Sequence, residues 1–322
     1  MRVMSARRVQ GTFYLLTFGN TIAASFIWGI NTLFLLDAGL TNLEAFAANA
    51  FFTLGMVIFE IPTGVVADTR GRRTSYLLGT VTLAVTTLLY WLMWLWQSPF
   101  WAWALVSVAL GLGFTFFTGA VEAWLVDALA ATNYRGSLET VFGRAQIVSG
   151  ISMLSGSVLG GLLAQLTNLG VPFLVRAGIL AVMIVVAGLL MRDLGFTPER
   201  GARPVAAVRE VMRASWRHGF QQPAIRWVMI ASPFTAGVGV YAFYALQPYL
   251  LEVAGDDTAY ALAGLAAAIF AGSSILGGLL APVVRRWVRR RTTVLIASVA
   301  VSSAVLVSFF FVDALWLAIV LL

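Results

Sequence analysis

Glu60, Glu122 and Arg144 are ionisable residues that lie inside long apolar runs. Moving such a group from water into hydrocarbon costs about 2.5–3.5 kcal/mol on insertion scales, so it is retained where pairing or function offsets the cost. Counted from the nearer polar flank at about 1.5 Å per residue, Glu60 lies about 10 Å deep, Glu122 about 12 Å and Arg144 about 8 Å. Two carboxylates and one guanidinium at similar depth leave one spare negative charge. In one reading Arg144 pairs with Glu122 or Glu60 and the other carboxylate takes up and releases a proton. Desolvation would raise the proton affinity of that carboxylate and Arg144 would oppose the rise. In the other reading a permanent ion pair only locks the packing of the helices.

A second charged constellation is the run Gly64-Val65-Val66-Ala67-Asp68-Thr69-Arg70-Gly71-Arg72-Arg73. Gly71 permits a tight turn at positive φ. Asp68 can accept hydrogen bonds from Arg72 or from a nearby helix N-terminus. The simpler alternative is that three arginines only fix topology. Other chemistries are excluded by inventory. The chain has no Cys and one His, His218. Disulfides, thiol catalysis, Cys/His zinc sites and an H-E-x-x-H protease are therefore ruled out. No buried Asp pair and no G-x-S-x-G element with a partner His is present, so no enzyme, metal or cofactor is expected. His218 reads as a solvated loop residue.

The elements that must position these charges are membrane spans. Of 322 residues, 60% are hydrophobic and 11% charged, with a mean hydropathy of +0.89. Soluble domains are about 25% charged, so a water-facing surface cannot be built from this composition. Nine segments reach the length of about 20 apolar residues that a spanning helix needs: 11–36, 43–67, 74–96, 99–130, 139–166, 171–191, 226–250, 259–284 and 292–312. A tenth begins at Ala314. The first follows a basic N-terminus and has no clear cleavage site, so a retained helix is expected.

All 21 basic residues are Arg, and 19 of them fall before segment 1 or between segments 2 and 3, 4 and 5, 6 and 7, and 8 and 9. The opposite loops carry Asp37, Glu44, Glu252, Asp256, Asp257 and Asp313. The positive-inside rule places the N-terminus and the 192–225 loop in the cytoplasm of a bacterial-type inner (plasma) membrane. The net charge of +7 is thus a topology signal, and no nucleic-acid partner is expected. The two arginines off this pattern, Arg144 and Arg176, fall inside segments 5 and 6. The domain reading is a six-helix bundle at 1–191, a linker at 192–225 and a partial second bundle at 226–322. Residues 205–219 have helical character and suit the membrane surface. Gly64-Val65-Val66-Ala67 ends segment 2 and Gly278-Leu279-Leu280-Ala281 ends segment 8, each before an Arg-rich turn and a Thr. A repeat displaced by six helices is the signature of a transporter built from two related halves.

The 64–73 run resembles the helix 2–3 loop signature of the major facilitator superfamily, GxLADxxGRR in outline. Gly64, Ala67, Asp68, Gly71, Arg72 and Arg73 match it, and Thr69 replaces the usual basic residue. Phe59-Glu60-Ile61-Pro62-Thr63-Gly64 and Glu122-Ala123-Trp124-Leu125-Val126-Asp127 also look like a branch of that family. The resemblance implies an all-α, two-bundle membrane fold in which Asp68, Arg72 and Asp127 form a latch holding the halves in one conformation. Gly143, Gly156, Gly160 and Gly161 fall on the spacing of the glycine-rich helix 5 signature of proton-coupled exporters, with Ser152 in place of a Gly and Ser157 in place of a Pro. Ser152, Gly156 and Gly160 also form a small-xxx-small stripe, which plain helix packing explains equally well. Ser107 stands where such exporters often carry an Arg on helix 4.

Helices 1, 4 and 7 line the central cavity in this family. Their polar and aromatic residues here are Asn20, Trp28, Asn31, Thr115, Thr118, Tyr241, Tyr244 and Gln247. Apolar walls with few polar groups suit an amphiphilic ligand. The expected function is secondary active transport by alternating access, as proton-coupled efflux of an amphiphilic, drug-like molecule. The rivals are uptake of a polar nutrient and a non-transporting remnant or scaffold. Family members have twelve helices, so the chain reads as ending after its ninth, with an incomplete record as the favoured explanation. A monomer is expected if the full chain has twelve.

Overall fold

A computed structural model describes residues 4–117, 119–197, 209–210, 213–214, 216–287, 291–309 and 317. These residues fold into α-helices joined by short turns. Helix α1 (Ala6–Trp28) starts at Ser5, whose hydroxyl accepts from the Arg8 amide, and stops at Gly29. The chain bends by 47° into the short α2 (Asn31–Asp37), so the first expected segment is a broken span. Helix α3 (Asn42–Arg70) opens with a capping box: the Thr41 hydroxyl accepts from the Glu44 amide, and the Glu44 carboxylate accepts from the Thr41 amide at 2.9 Å. Two orphan amides of the helix start are thereby satisfied together.

Gly71, at φ 103°, separates α3 from α4 (Arg72–Trp96). A side chain is strained at this φ, which is why Gly stands there. The fourth expected segment, 99–130, is also interrupted. It comprises α5 (Phe100–Thr115) and α6 (Ala120–Ala131), with Gly119 at φ 72° before α6. Next come α7 (Leu138–Leu166), α8 (Val171–Leu190), a π-helical turn at Trp216–Phe220, α9 (Pro223–Ala254), α10 (Tyr260–Trp287) and α11 (Arg291–Phe309).

Among the described residues seven helices are long and apolar enough to cross a membrane, or eight with the bent α1–α2 pair taken as one span. The ninth expected segment contributes only the shorter apolar stretch Val299–Ser308. The expected tenth segment, and most of the 205–219 surface helix, lie outside the described residues. The apolar side chains exposed on the helices, such as Val57, Trp101, Ile151 and Leu189, are those a lipid-facing surface requires.

Helix α1 packs on α7 and α8, α3 on α5, α4 on α5 and α8, and α7 on α10. Two apolar cores form, one at each end of the first eight helices. Val9, Phe13, Leu16, Tyr76, Trp124 and Met191 belong to the core at the arginine-bearing end. Phe34, Tyr90, Met93, Trp103 and Phe173 belong to the core at the opposite end, where Phe34 stacks on Phe173 with centroids 3.8 Å apart. Small residues set the closest approaches. A Cβ on Gly156 or Gly160 would collide with Ser25 or the Phe26 carbonyl of α1. One on Gly161 would come within 2.7 Å of the Tyr260 carbonyl oxygen of α10. Gly143 is different: it is exposed with open space around it, so it takes no part in this packing.

Candidate functional site

The α3–α4 turn brings Asp68, Arg72 and Asp127 together, with Asp193 as a fourth charged residue beside Arg73. Arg72 Nη1 lies 2.6 Å from Asp68 Oδ1, one helical turn back, and Arg72 Nε lies 3.9 Å from Asp127 Oδ2 on α6. The Asp68–Arg72 contact is a charge-assisted hydrogen bond, whereas the longer one acts only through space. Gly64 and Gly71 are the small residues flanking this turn, and no atom lies within 4 Å of where a Gly64 Cβ would stand.

The fourth residue, Asp193, was not foreseen. Its Oδ1 accepts from the Arg73 amide at 2.9 Å, while Arg73 Nη2 donates to the Gly188 carbonyl at 2.6 Å. Helix α4 begins at Gly71, which has no side chain to cap it, so Asp193 supplies the cap from the far end of α8. A carboxylate at a helix N-terminus satisfies orphan amides and meets the positive end of the helix dipole. Packing against the turn pushes the Asp193 carboxyl up from its ordinary value, against the pull of the Arg73 amide and the Arg73 and Arg72 charges. Trp124 Nε1 donates to the Arg192 carbonyl at 2.7 Å and ties α6 to the same corner.

The intramembrane trio does not assemble. Among the described residues the ion pairs are those of Arg72 with Asp68 and Asp127. Glu60 and Arg144 are exposed and Arg144 pairs with neither carboxylate, so the expected Arg144–Glu122 or Arg144–Glu60 bridge is absent from this conformation. Glu60 is exposed on α3, and Glu122 is exposed at the start of α6, just after the break at Gly119. Glu122 instead occupies the first turn of α6 and lines a cavity of about 400 Å³. Its polar neighbours there are Thr17, Asn20 and Thr21 of α1 and Gln146 and Ser149 of α7.

A second cavity, of about 270 Å³, adjoins the first through the shared residues Asn20, Thr21, Phe117 and Ser149. Asn20 thus lines both, and its Oδ1 accepts from the Tyr76 hydroxyl at 2.8 Å. The other expected cavity residues line neither. Asn31 donates to Asn49 at 2.9 Å, Tyr241 is exposed against Phe46, and Tyr244 packs against Phe243. Gln247 is buried and bridges the α1–α2 break: its Oε1 accepts from the Thr32 amide at 2.9 Å and its Nε2 donates to the Trp28 carbonyl at 3.1 Å. A broken helix away from water leaves backbone groups that must find partners, and Gln247 supplies both. Trp28 stacks on Phe243 beside it with centroids 4.4 Å apart. Thr115 donates to its own helix at the Leu112 carbonyl, and Thr118 lies outside the described residues. So does the side chain of His218. Ser107 is buried with its Oγ 2.5 Å from the Tyr90 hydroxyl. No group of three or more His, Cys, Asp or Glu able to hold a metal occurs among the described residues.

Long apolar helices, two of them interrupted, around two adjoining cavities define a multi-pass α-helical membrane protein. A family model described as Major Facilitator Superfamily matches residues 13–322. The chain belongs to that superfamily. It is 25% identical over 235 residues to an uncharacterized MFS-type transporter, MJ1560, of Methanocaldococcus jannaschii, which covers 72% of this chain and 58% of the relative. It is 31% identical over 117 residues to Protein ZINC INDUCED FACILITATOR 1 of Arabidopsis thaliana, covering 35% of this chain and 22% of the plant protein. The chain thus spans under two thirds of the length of these relatives. Its fold is similar to that of the nucleoside transporter NupG, with a TM-score of 0.67 at 12% identity over 86% of this chain and 68% of the other.

Proposed function

We propose that the protein acts as a secondary transporter, moving a small molecule across the inner membrane by alternating access between two helical bundles, with proton-coupled export of an amphiphile as its activity. The observation that carries this reading is Glu122. It is a carboxylate on a cavity wall within an apolar helix, exposed and without an ion pair among the described residues. An acidic side chain on a cavity wall inside an apolar helix is retained where function offsets its cost. It also stands in the first turn of α6, near the positive end of that helix's dipole. Discontinuous helices whose ends meet the binding site are a recurrent device of transporters.

In this reading Asp68, Arg72 and Asp127 form the latch at the cytoplasmic end, held in place by the Gly71 turn and by Arg73. Its opening would accompany the change of access. The polar wall of Thr17, Asn20, Thr21, Gln146 and Ser149 favours a second reading, uptake of a polar nutrient. Energised everted membrane vesicles separate the two. An exporter accumulates cargo in them, loses the accumulation to a protonophore, and loses the coupling on Glu122→Gln. Proton-driven accumulation that persists at the wild-type level in Glu122→Gln would overturn the assignment of Glu122. Absence of flux for every class of cargo would favour a non-transporting membrane scaffold.

A further inference from the structure

Arg176 sits on α8 about 8 Å from one end of that helix and about 21 Å from the other, at 1.5 Å per residue. It is 4% exposed. Its Nε has no hydrogen-bond partner, and neither ion pair among the described residues involves it. It lines the 270 Å³ cavity, and no carboxylate lines that cavity with it. A guanidinium does not lose its proton in a protein, so this charge cannot be removed by neutralisation. Leaving it buried and unpaired is costly. The rest of the wall is chiefly apolar, with Ala23, Leu83, Phe114, Met153 and Leu180 facing the same space.

We propose that Arg176 is the anchor for an anionic group on the transported molecule, a carboxylate or a sulfonate, whose apolar body fills the remainder of the cavity. The proposal rests on the transport reading above and specifies its cargo as an amphiphilic organic anion. The planar fork of Arg offers paired N–H donors matched to such groups.

The test is equilibrium binding to the purified protein in detergent, read from tryptophan fluorescence, with size-matched probes: 4-phenylbutyrate, 4-phenylbutanol and 4-phenylbutylamine. Sodium chloride and phosphate serve as inorganic competitors. Expected is tighter binding of the carboxylate than of the alcohol, by about tenfold or more, as a charged hydrogen bond in a buried site gives. Arg176→Gln should abolish that preference and Arg176→Lys should keep part of it. If Arg176→Gln does not fold, the wild-type preference among the three probes still decides. Equal binding of alcohol and carboxylate, or displacement of the carboxylate by chloride alone at equal concentration, would overturn the proposal. Carboxylate binding without flux in vesicles would sustain the site while removing the transport reading.

Discussion

Arg72 and Arg176 are the same side chain in two opposite situations. Arg72 stands at a turn with Asp68 at 2.6 Å, Asp127 at 3.9 Å and a capped helix start beside it. Arg176 stands in an internal cavity with no carboxylate on its walls. The first charge has carboxylates beside it, although its Nε, like that of Arg176, has no hydrogen-bond partner. The second is left for something the fold does not contain. The contrast separates a guanidinium set among carboxylates from one set in a cavity whose lining has none.

The sharpest way to break this comparison is stability without ligand. Truncating a paired charge costs stability because its partner is stranded, whereas replacing buried charge with well-packed apolar volume is often neutral or stabilising by about 1–4 kcal/mol. Arg176→Met should therefore raise the thermal midpoint of the ligand-free protein in detergent while removing anion binding. A clear fall in that midpoint would mean that Arg176 has a structural partner, and the two arginines would then not differ in kind.

The two halves of the comparison were not equally legible in the sequence. The α3–α4 turn was, because Asp68, Gly71 and Arg72 are only a few residues apart in the chain, so a tight turn at Gly71 keeps them near one another. The seven spans from 43–67 to 259–284 were legible to within a few residues, because hydropathy reports them directly. The breaks at Gly29 and Gly119 were hidden inside continuous apolar runs, since neither carries the polar punctuation of a turn. Arg176 stood out as an intramembrane arginine, but its lack of partners depends on what α1, α4 and α5 place around it. Gln247 looked like a ligand contact for the same reason it bridges a broken helix: a buried amide serves either use. The expected Arg144 pair failed because depth along a helix was known and rotation about it was not. Asp193 lies 120 residues from the amide it caps, and only the packing of α8 against α4 brings them together.

Asp193 gives a smaller effect. Losing a helix cap costs about 1 kcal/mol, so Asp193→Ala should lower the stability of the detergent-solubilised protein by about that much. It should also speed proteolysis near the α3–α4 turn. The pH dependence has a definite sign. Because the folded value is raised, this group's titration contributes most below the unfolded value of about 3.9. That contribution is lost as pH rises through the folded value. Replacing Asp193 by Asn should remove this component of the pH slope, leaving the mutant less stabilised than the wild type by acidification. An unchanged slope would mean that Asp193 is no more desolvated than in the unfolded chain.

The smallest effects divide the turn itself. Double-mutant cycles isolate the coupling of one pair from the rest of the structure. For Arg72→Ala with Asp68→Ala the coupling should be at the upper end of the range for partly exposed pairs, about 1 kcal/mol, because the contact is a direct hydrogen bond. For Arg72→Ala with Asp127→Ala it should be a few tenths of a kcal/mol, because 3.9 Å leaves only a screened through-space attraction. Added salt should shrink the second more than the first. If the order were reversed, α6 would be bound to the turn more tightly than the geometry allows. Arg72 would then act chiefly between helices, and Asp68 would only orient it.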